Sequence, residues 1–291
     1  MLSFLNGLKV PITNGLLLGG LYGIIGIGMS MIFGIVRLVN LAHGDLIILA
    51  SYLGLVTMTF FPVNPLLTLI IVIPVMGIIG FIIQYYLLNR VLGKGMNPPL
   101  LIAFGLSIIL QNILLLIFTP DARTLLTSIS VKTIPLGNFL NIPLVYLLDF
   151  IVSLVSIVLL SRFFNRTYMG KAIRAASDDE GAAQLMGINT KTIYAFAMAL
   201  ATGTAGIAGI LVGMTFTFYP HTGPEYLIIA FGVVIVGGLG SLLGTFLGGL
   251  ILGLSQILGA HFLGPGFQLL SGYVILLIVL TFKPTGLFAK G

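Results

Sequence analysis

The sequence predicts an all-α polytopic membrane protein, a bundle of about eight or nine spanning helices with one polar helical element on the cytoplasmic side. Three observations predict it. Only 7% of the residues are charged and 58% are hydrophobic, too little polarity to coat a soluble domain. Several uncharged runs reach the roughly 20 apolar residues needed to cross a hydrocarbon core of about 30 Å. These runs are apolar on every face, whereas a β-barrel strand alternates over about ten residues. The whole chain, 1–291, reads as a single transmembrane domain with a cytoplasmic loop over 162–191.

The candidate spans follow in order. Met1–Thr13 has no basic start or small-residue cleavage site, and is expected to lie along the interface with Lys9 at the headgroups. Gly15–Val36, Leu66–Asn89, Leu100–Phe118 and Thr192–Tyr219 are long enough to cross. Leu46–Phe61 and Gly266–Phe282 are shorter spans, and Ile142–Ser161 carries one charge, Asp149. Asp149 sits near the outer end of its run, where a solvated carboxylate is the simple reading, although intramembrane carboxylates are often functional. Tyr226–Leu258 is too long for one straight helix and is expected to break at Gly237, Gly238 and Gly240, which leaves Tyr226–Gly238 short for a full crossing.

Basic residues orient the bundle. Arg162, Arg166, Lys171, Arg174 and Lys191 place the loop between the central spans in the cytoplasm. Counting back puts Arg90, Lys94 and the Arg37–Asp45 connection inside, and Met1 outside. Counting forward puts Tyr219–Glu225 outside and, with two crossings in the glycine-broken run, Lys283 and Lys290 inside. The formal net charge of +6 is thus a membrane-orientation signal and gives no reason to expect nucleic acid. There is no cysteine, and the three histidines are scattered, so no metal site and no cofactor are expected.

Glycines recur four residues apart at Gly15, Gly19 and Gly23, at Gly240, Gly244 and Gly248, and in the pairs Gly209/Gly213 and Gly249/Gly253. That spacing puts them on one helix face, where a second backbone can come close. Tight packing is the ordinary use of such a stripe, and a smooth surface that slides during transport is the sharper one.

The cytoplasmic loop holds the polar chemistry. Ser177-Asp178-Asp179-Glu180 has the form of a capping box, with Ser177 as cap, Glu180 reaching back, and Asp178 in the first turn. Ala182, Ala183, Leu185 and Met186 give the next turns a small apolar face, and Gly187 stops them with Ile188 folded back. The expected product is a surface helix of two to three turns, flanked by Arg174 and Lys191 and too short to be stable without a surface to lie on. The plain alternative is an ordinary basic loop with a helical turn.

Elsewhere, Asn40, His43 and Asp45 lie on the inner connection between the first two spans. They form a gate or a second docking contact, or Asp45 simply caps the following helix, the reading favoured here. Tyr219, His221 and Glu225 lie on the expected outer loop, where Glu225 contacts a receptor, holds a substrate ammonium, or is merely solvated. Gln84, Gln111, Asn112 and Gln256 are uncharged and are expected to bond helices together.

Glu180-Gly181-Ala182-Ala183-Gln184-Leu185-Met186-Gly187 resembles the E-A-A-x-x-x-G core of the coupling loop in ABC importer permeases, with Gly181 inserted after the Glu. Four further blocks narrow the resemblance: N-G-L-L-L-G-G-L-Y at Asn14–Tyr22, F-G-I-V-R-L-V-N-L-A-H-G-D at Phe33–Asp45, G-K-A-I-R-A at Gly170–Ala175 and G-G-L-G-S at Gly237–Ser241. Together with L-M-G-I-N at Leu185–Asn189 they resemble the branched-chain amino acid permeases, in particular the H-type subunit of the LivH family. The resemblance runs from about Asn14 to Pro284.

It implies an ABC importer permease bundle in the plasma (inner) membrane of a prokaryote. Its partners would be two ABC ATPase subunits, a paralogous M-type permease, an extracytoplasmic substrate-binding protein and the lipid bilayer. Arg174, Ser177, Asp178, Glu180, Ala183, Leu185, Met186 and Gly187 would form the ATPase-docking element. The chain carries no G-x-x-x-x-G-K-[ST] loop, so ATP hydrolysis is expected in a separate subunit and no enzyme activity in this one. A related permease for a sugar or nucleoside is the alternative. A secondary transporter usually places ionisable groups at mid-membrane, and these spans carry almost none. A non-transporting scaffold would recruit a partner without conducting a solute.

Overall fold

The computed structural model describes residues 2–95, 97–127, 129–136 and 140–288. Helix α1 (Leu2–Val36) is followed by α2 (His43–Phe60) and α3 (Pro65–Ile82). A π-helical segment Ile83–Leu87 and a 3-10 turn Leu88–Arg90 extend α3, and α4 (Asn97–Phe118) follows. A short antiparallel hairpin, β1 (Thr133–Leu136) and β2 (Leu140–Pro143), leads into α5 (Leu144–Arg166). Two short helices, α6 (Tyr168–Asp178) and α7 (Glu180–Leu185), precede α8 (Thr190–Thr215), α9 (Gly223–Gly237), α10 (Leu242–Leu263) and α11 (Gln268–Phe282). Eight described helical stretches are long and apolar enough to cross a membrane, the last being α11 with the 3-10 turn Pro265–Phe267 before it; α9, at 15 residues, falls short.

The predicted all-α membrane bundle is therefore the observed fold, with two local differences. The segment expected to lie along the interface instead continues α1, which passes through Pro11 without a break. Asp149, expected to be solvated, is fully buried and accepts a 2.7 Å hydrogen bond from the Thr215 hydroxyl, because α5 packs this face inward. The long glycine-containing run does break as expected: α9 ends at Gly237, and Gly238 (φ 104°) and Gly240 (φ 77°) turn the chain into α10.

The glycine stripes of α1 and α10 meet. A Cβ on Gly15 would lie 2.8 Å from the Leu254 Cα, and one on Gly249 would lie 2.8 Å from the Gly23 Cα. The missing side chains let the two backbones touch, and this is the most extensive helix pair in the molecule. Such close backbone contact is tight packing rather than a free sliding surface.

Two quartets build the bundle in opposite orientations. Helix α1 lies along α10, as α8 lies along α3; α2 packs on α8, as α9 packs on α1; α4 touches α2, as α11 touches α9. Exchanging α1–α4 with α8–α11 reproduces these pairings and that of α2 with α3 as α9 with α10, the signature of an inverted repeat; the halves differ in that α11 packs on α10 whereas α4 stands off α3. Cross-links fix which ends lie together. Ser177 Oγ donates to the Gly34 carbonyl at 2.7 Å, and Asn89 Nδ2 donates to the Lys191 carbonyl at 3.0 Å. The Leu287 and Phe288 amides bond to the Val236 and Gly237 carbonyls. Arg37, Arg90, Lys191 and Lys283 thus share one end, the one the basic residues assign to the cytoplasm. Lys290 lies outside the described residues.

Candidate docking element and central junction

At the cytoplasmic end the chain leaves α5 through Thr167. Its Oγ1 donates to the Phe163 carbonyl at 2.8 Å and accepts from the Gly170 amide at 3.0 Å, closing one helix and opening the next. Helix α6 buries Gly170, Ala172, Ile173 and Ala176 on one face and exposes Lys171, Arg174 and Asp178 on the other. The Tyr194 hydroxyl donates to the Ala176 carbonyl at 3.2 Å and so ties the end of α6 to α8.

The cap of α7 is Asp179, whose Oδ1 accepts from the Ala182 amide at 2.9 Å. This corrects the capping box expected at Ser177. Ser177 lies inside α6 with its hydroxyl spent on Gly34, and Asp178 ends α6 rather than opening α7. Glu180 does not reach back either. Its Oε1 accepts from Gln184 Nε2 at 3.3 Å and from Thr190 Oγ1 at 3.2 Å, fastening α7 to the start of α8. The stop is as expected. Gly187 adopts φ 82°, its amide bonds the Gln184 carbonyl at 2.9 Å, and the Ile188 amide bonds the Ala183 carbonyl at 3.0 Å. The helix is six residues long, shorter than the two to three turns expected.

The expected apolar face divides. Ala183 is 4% exposed and turned into the chain's own core, whereas Leu185 is 90% and Met186 83% exposed. Ala183 is thus a seat for α7, and Leu185 and Met186 are what it presents. Arg174 is exposed, with Nη2 held by Asn165 Oδ1 at 2.6 Å.

The second site is where α2 and α9 begin. His43 Nε2 lies 2.9 Å from the Ile25 carbonyl. Ile25 is eleven residues before the end of α1, about 17 Å along the axis. Asp45 accepts a 2.5 Å hydrogen bond from Ser107, which is midway along α4, and Gln111 Nε2 donates to Ser107 Oγ at 3.1 Å. A Cβ on Gly28 would meet both His43 Cε1 and Thr204 Oγ1 at 2.8 Å, and Thr204 is midway along α8. Three helices thus place His43 and Asp45 at mid-depth, each 2% exposed. Arg37–Ala42 re-enters the bundle from the cytoplasmic end, and Asn40 turns it by accepting the Ala42 amide at 3.1 Å.

Helix α9 starts against this point. A Cβ on Gly44 would overlap the Gly223 carbonyl, and one on Gly223 would overlap the Asp45 carboxylate. Two helix N-termini therefore face each other inside the membrane, α2 running outward and α9 inward, with Asp45 between their positive ends. The favoured reading of Asp45 as a side-chain cap is corrected, since α2 has no side-chain cap bond and Asp45 bonds α4 instead. Nor are Asn40, His43 and Asp45 exposed on the inner surface, because the connection carrying them dips inward.

Tyr219, His221 and Glu225 sit beside the same junction rather than on a projecting outer loop. Phe218 pairs its backbone with Arg123, and Thr222 closes a turn with its Oγ1 donating to the Tyr219 carbonyl at 2.9 Å. The Tyr219 and His221 rings stack at 5.5 Å, while His221 and Glu225 remain exposed.

The family model described as branched-chain amino acid transport system / permease component matches residues 11–280. The chain belongs to this family. It is 30% identical to the high-affinity branched-chain amino acid transport system permease protein BraD of Pseudomonas aeruginosa, over 96% of this chain and 95% of that one. It is 29% identical to the corresponding LivH protein of Escherichia coli, over 95% and 94%. A ribose import permease protein, RbsC of Haemophilus influenzae, is 26% identical over 88% and 79%. Among solved structures, PsaBC from Streptococcus pneumoniae in complex with Fab shares the fold, with TM-score 0.52, 17% identity and coverage of 98% of this chain and 97% of that one.

Sequence reasoning about this permease missed α6, the role of Ser107 and the depth of the α2–α9 junction. Thr167 ahead of Ala172, Ile173 and Ala176 was a readable helix start. Within the described residues no cluster of His, Asp or Glu has metal-binding geometry.

Proposed function

We propose that this permease is the membrane subunit of an ATP-driven importer for branched-chain or similar apolar amino acids in a prokaryotic plasma membrane. The near-full-length likeness to permeases named for that transport carries the reading. Two ATPase subunits would dock on the α6–α7 element, with Leu185 and Met186 inserted in the ATPase surface and Arg174 and Asp178 at the rim. A buried apolar anchor with a charged rim is the usual anatomy of a stable contact. An M-type paralogue would complete the membrane dimer, and an extracytoplasmic binding protein would deliver the solute.

The junction is the proposed gate. Nucleotide-driven closure at α7 is passed to α8, to which Glu180 and Gln184 fasten it, and α8 packs on α2 at mid-depth. Docking drives transport only insofar as it differs between nucleotide states. Glu225, exposed beside the junction, is proposed to meet the solute's ammonium group.

Uptake of labelled leucine into vesicles tests the proposal. Transport should require ATP, the ATPases, the M-type subunit and the binding protein together. Uptake by this chain alone on an ion gradient would make it a secondary transporter. ATP-dependent uptake of ribose but not leucine would favour the sugar reading that the ribose permease likeness keeps open.

A further inference from the structure

A cavity of about 840 Å³ opens at the cytoplasmic rim between the end of α1, the end of α5, α6 and the start of α10. It lies away from the central junction and from Leu185 and Met186, and its wall shares Arg174, Ser177 and Asp178 with the rim of the proposed ATPase contact. Arg37 and Arg174 line it, and the only ion pair among the described residues is Arg123–Asp121, so both guanidiniums face the cavity without a carboxylate partner. Helix α10, 22 residues long, begins at the wall, with Ser241 capping the Gly244 amide. Its positive end adds to the pull on an anion.

An independent observation lies deeper in the same cavity. Ser30 is fully buried, and its Oγ has no hydrogen-bond partner. Thr57 and Ser156 satisfy their hydroxyls on the carbonyl four residues back, each at 2.7 Å; Ser30 and the buried Ser153 do not, and of these two Ser30 lines the cavity. A buried hydroxyl without a partner costs about 1–3 kcal/mol, so the position calls for an acceptor from outside the chain. Ser30 is six residues, about 9 Å, from the end of α1 toward the membrane interior. The cavity is also lined by Leu239 and Leu243, both exposed apolar side chains.

Two unpaired cations at the rim, an unsatisfied donor one headgroup-length deeper and exposed leucines alongside match one kind of molecule. We infer that this cavity binds an inner-leaflet phospholipid, with its phosphate between Arg37 and Arg174, a glycerol ester carbonyl on Ser30 Oγ and an acyl chain over Leu239 and Leu243. Asp178, also on the wall, selects a headgroup carrying a primary amine over one carrying a second anion. Basic pockets between spanning helices on the cytoplasmic side are where such headgroups are held.

Native mass spectrometry of the full chain, delipidated and then given phosphatidylethanolamine, tests this directly. The wild type should retain one lipid that Arg37→Gln/Arg174→Gln loses at least fivefold, and Ser30→Ala should weaken retention by a smaller factor. Lys94→Gln/Lys171→Gln removes the same charge from the same face outside the cavity and should leave that lipid in place. Melting temperatures within a few degrees of wild type keep a folding failure from passing as lost binding. Equal retention by the wild type and the cavity variant, or equal loss in the cavity and control variants, overturns the inference. So does displacement of the lipid by millimolar inorganic phosphate or leucine, which would make this a site for a soluble cytoplasmic anion.

Discussion

Two polar stretches of this permease look alike in sequence and end in opposite environments. Ser177–Glu180 and Asn40–Asp45 are both short, carry acidic groups beside cap-forming residues, and precede an apolar helix. The first ends on the surface and carries Leu185 and Met186 out with it. The second is drawn to mid-depth, and its Asp45 carboxyl is bonded by Ser107 across the bundle. Charge in such a stretch reports that it avoids lipid, but not how deep it lies. Depth is set by partners: Asp45 has a hydroxyl bonded to it from α4 and a helix N-terminus packed against it, while the Asp178 side chain makes no hydrogen bond among the described residues.

The largest way to break this contrast is to fill the junction. Gly223→Val should destabilise the protein by about 3 kcal/mol, because its Cβ collides with the Asp45 carboxylate that fixes the two half-helices. The check is the thermal midpoint in detergent, and a shift of less than a degree would mean the half-helices do not abut there. Asp45→Ala comes next, at about 2 kcal/mol from the lost hydrogen bond and the Ser107 hydroxyl proton left without an acceptor. Ser107→Ala should reproduce most of that loss, and the double variant should add little to either single one. Additive losses would separate the two residues.

On the cytoplasmic side the effects are smaller and local. Ala183→Glu should loosen α7 itself, since Ala183 is its buried seat, and faster amide hydrogen exchange over 180–188 would report it. Ser177→Ala is the mildest change, about 1 kcal/mol for the hydrogen bond to Gly34, with docking intact.

Much of the bundle was legible because a spanning helix announces itself by length and composition. The break at Gly237–Gly240 was readable for the same reason, as glycines inside a run too long for one crossing mark where it turns. The re-entrant starts of α2 and α9 were not readable. Their polar residues are few, and placing His43 requires knowing that it lies against Ile25, a contact no local pattern encodes. The inverted repeat was hidden likewise, because the halves match in packing while apolar residues substitute freely for one another. In the docking element the stop was legible from Gly187 and Ile188. The cap was not, because Ser177 and Asp179 are both good caps two residues apart. What decided between them is a carbonyl on α1 that takes the Ser177 hydroxyl.

Leu185 and Met186 are proposed to grip a separate ATPase from an otherwise self-contained bundle. Leu185→Glu/Met186→Glu should leave the stability of the permease within about 0.5 kcal/mol of wild type, as suits strongly exposed positions. The same variant should lose ATPase co-purification at least tenfold. Undiminished co-purification by a folded double variant would contradict the account.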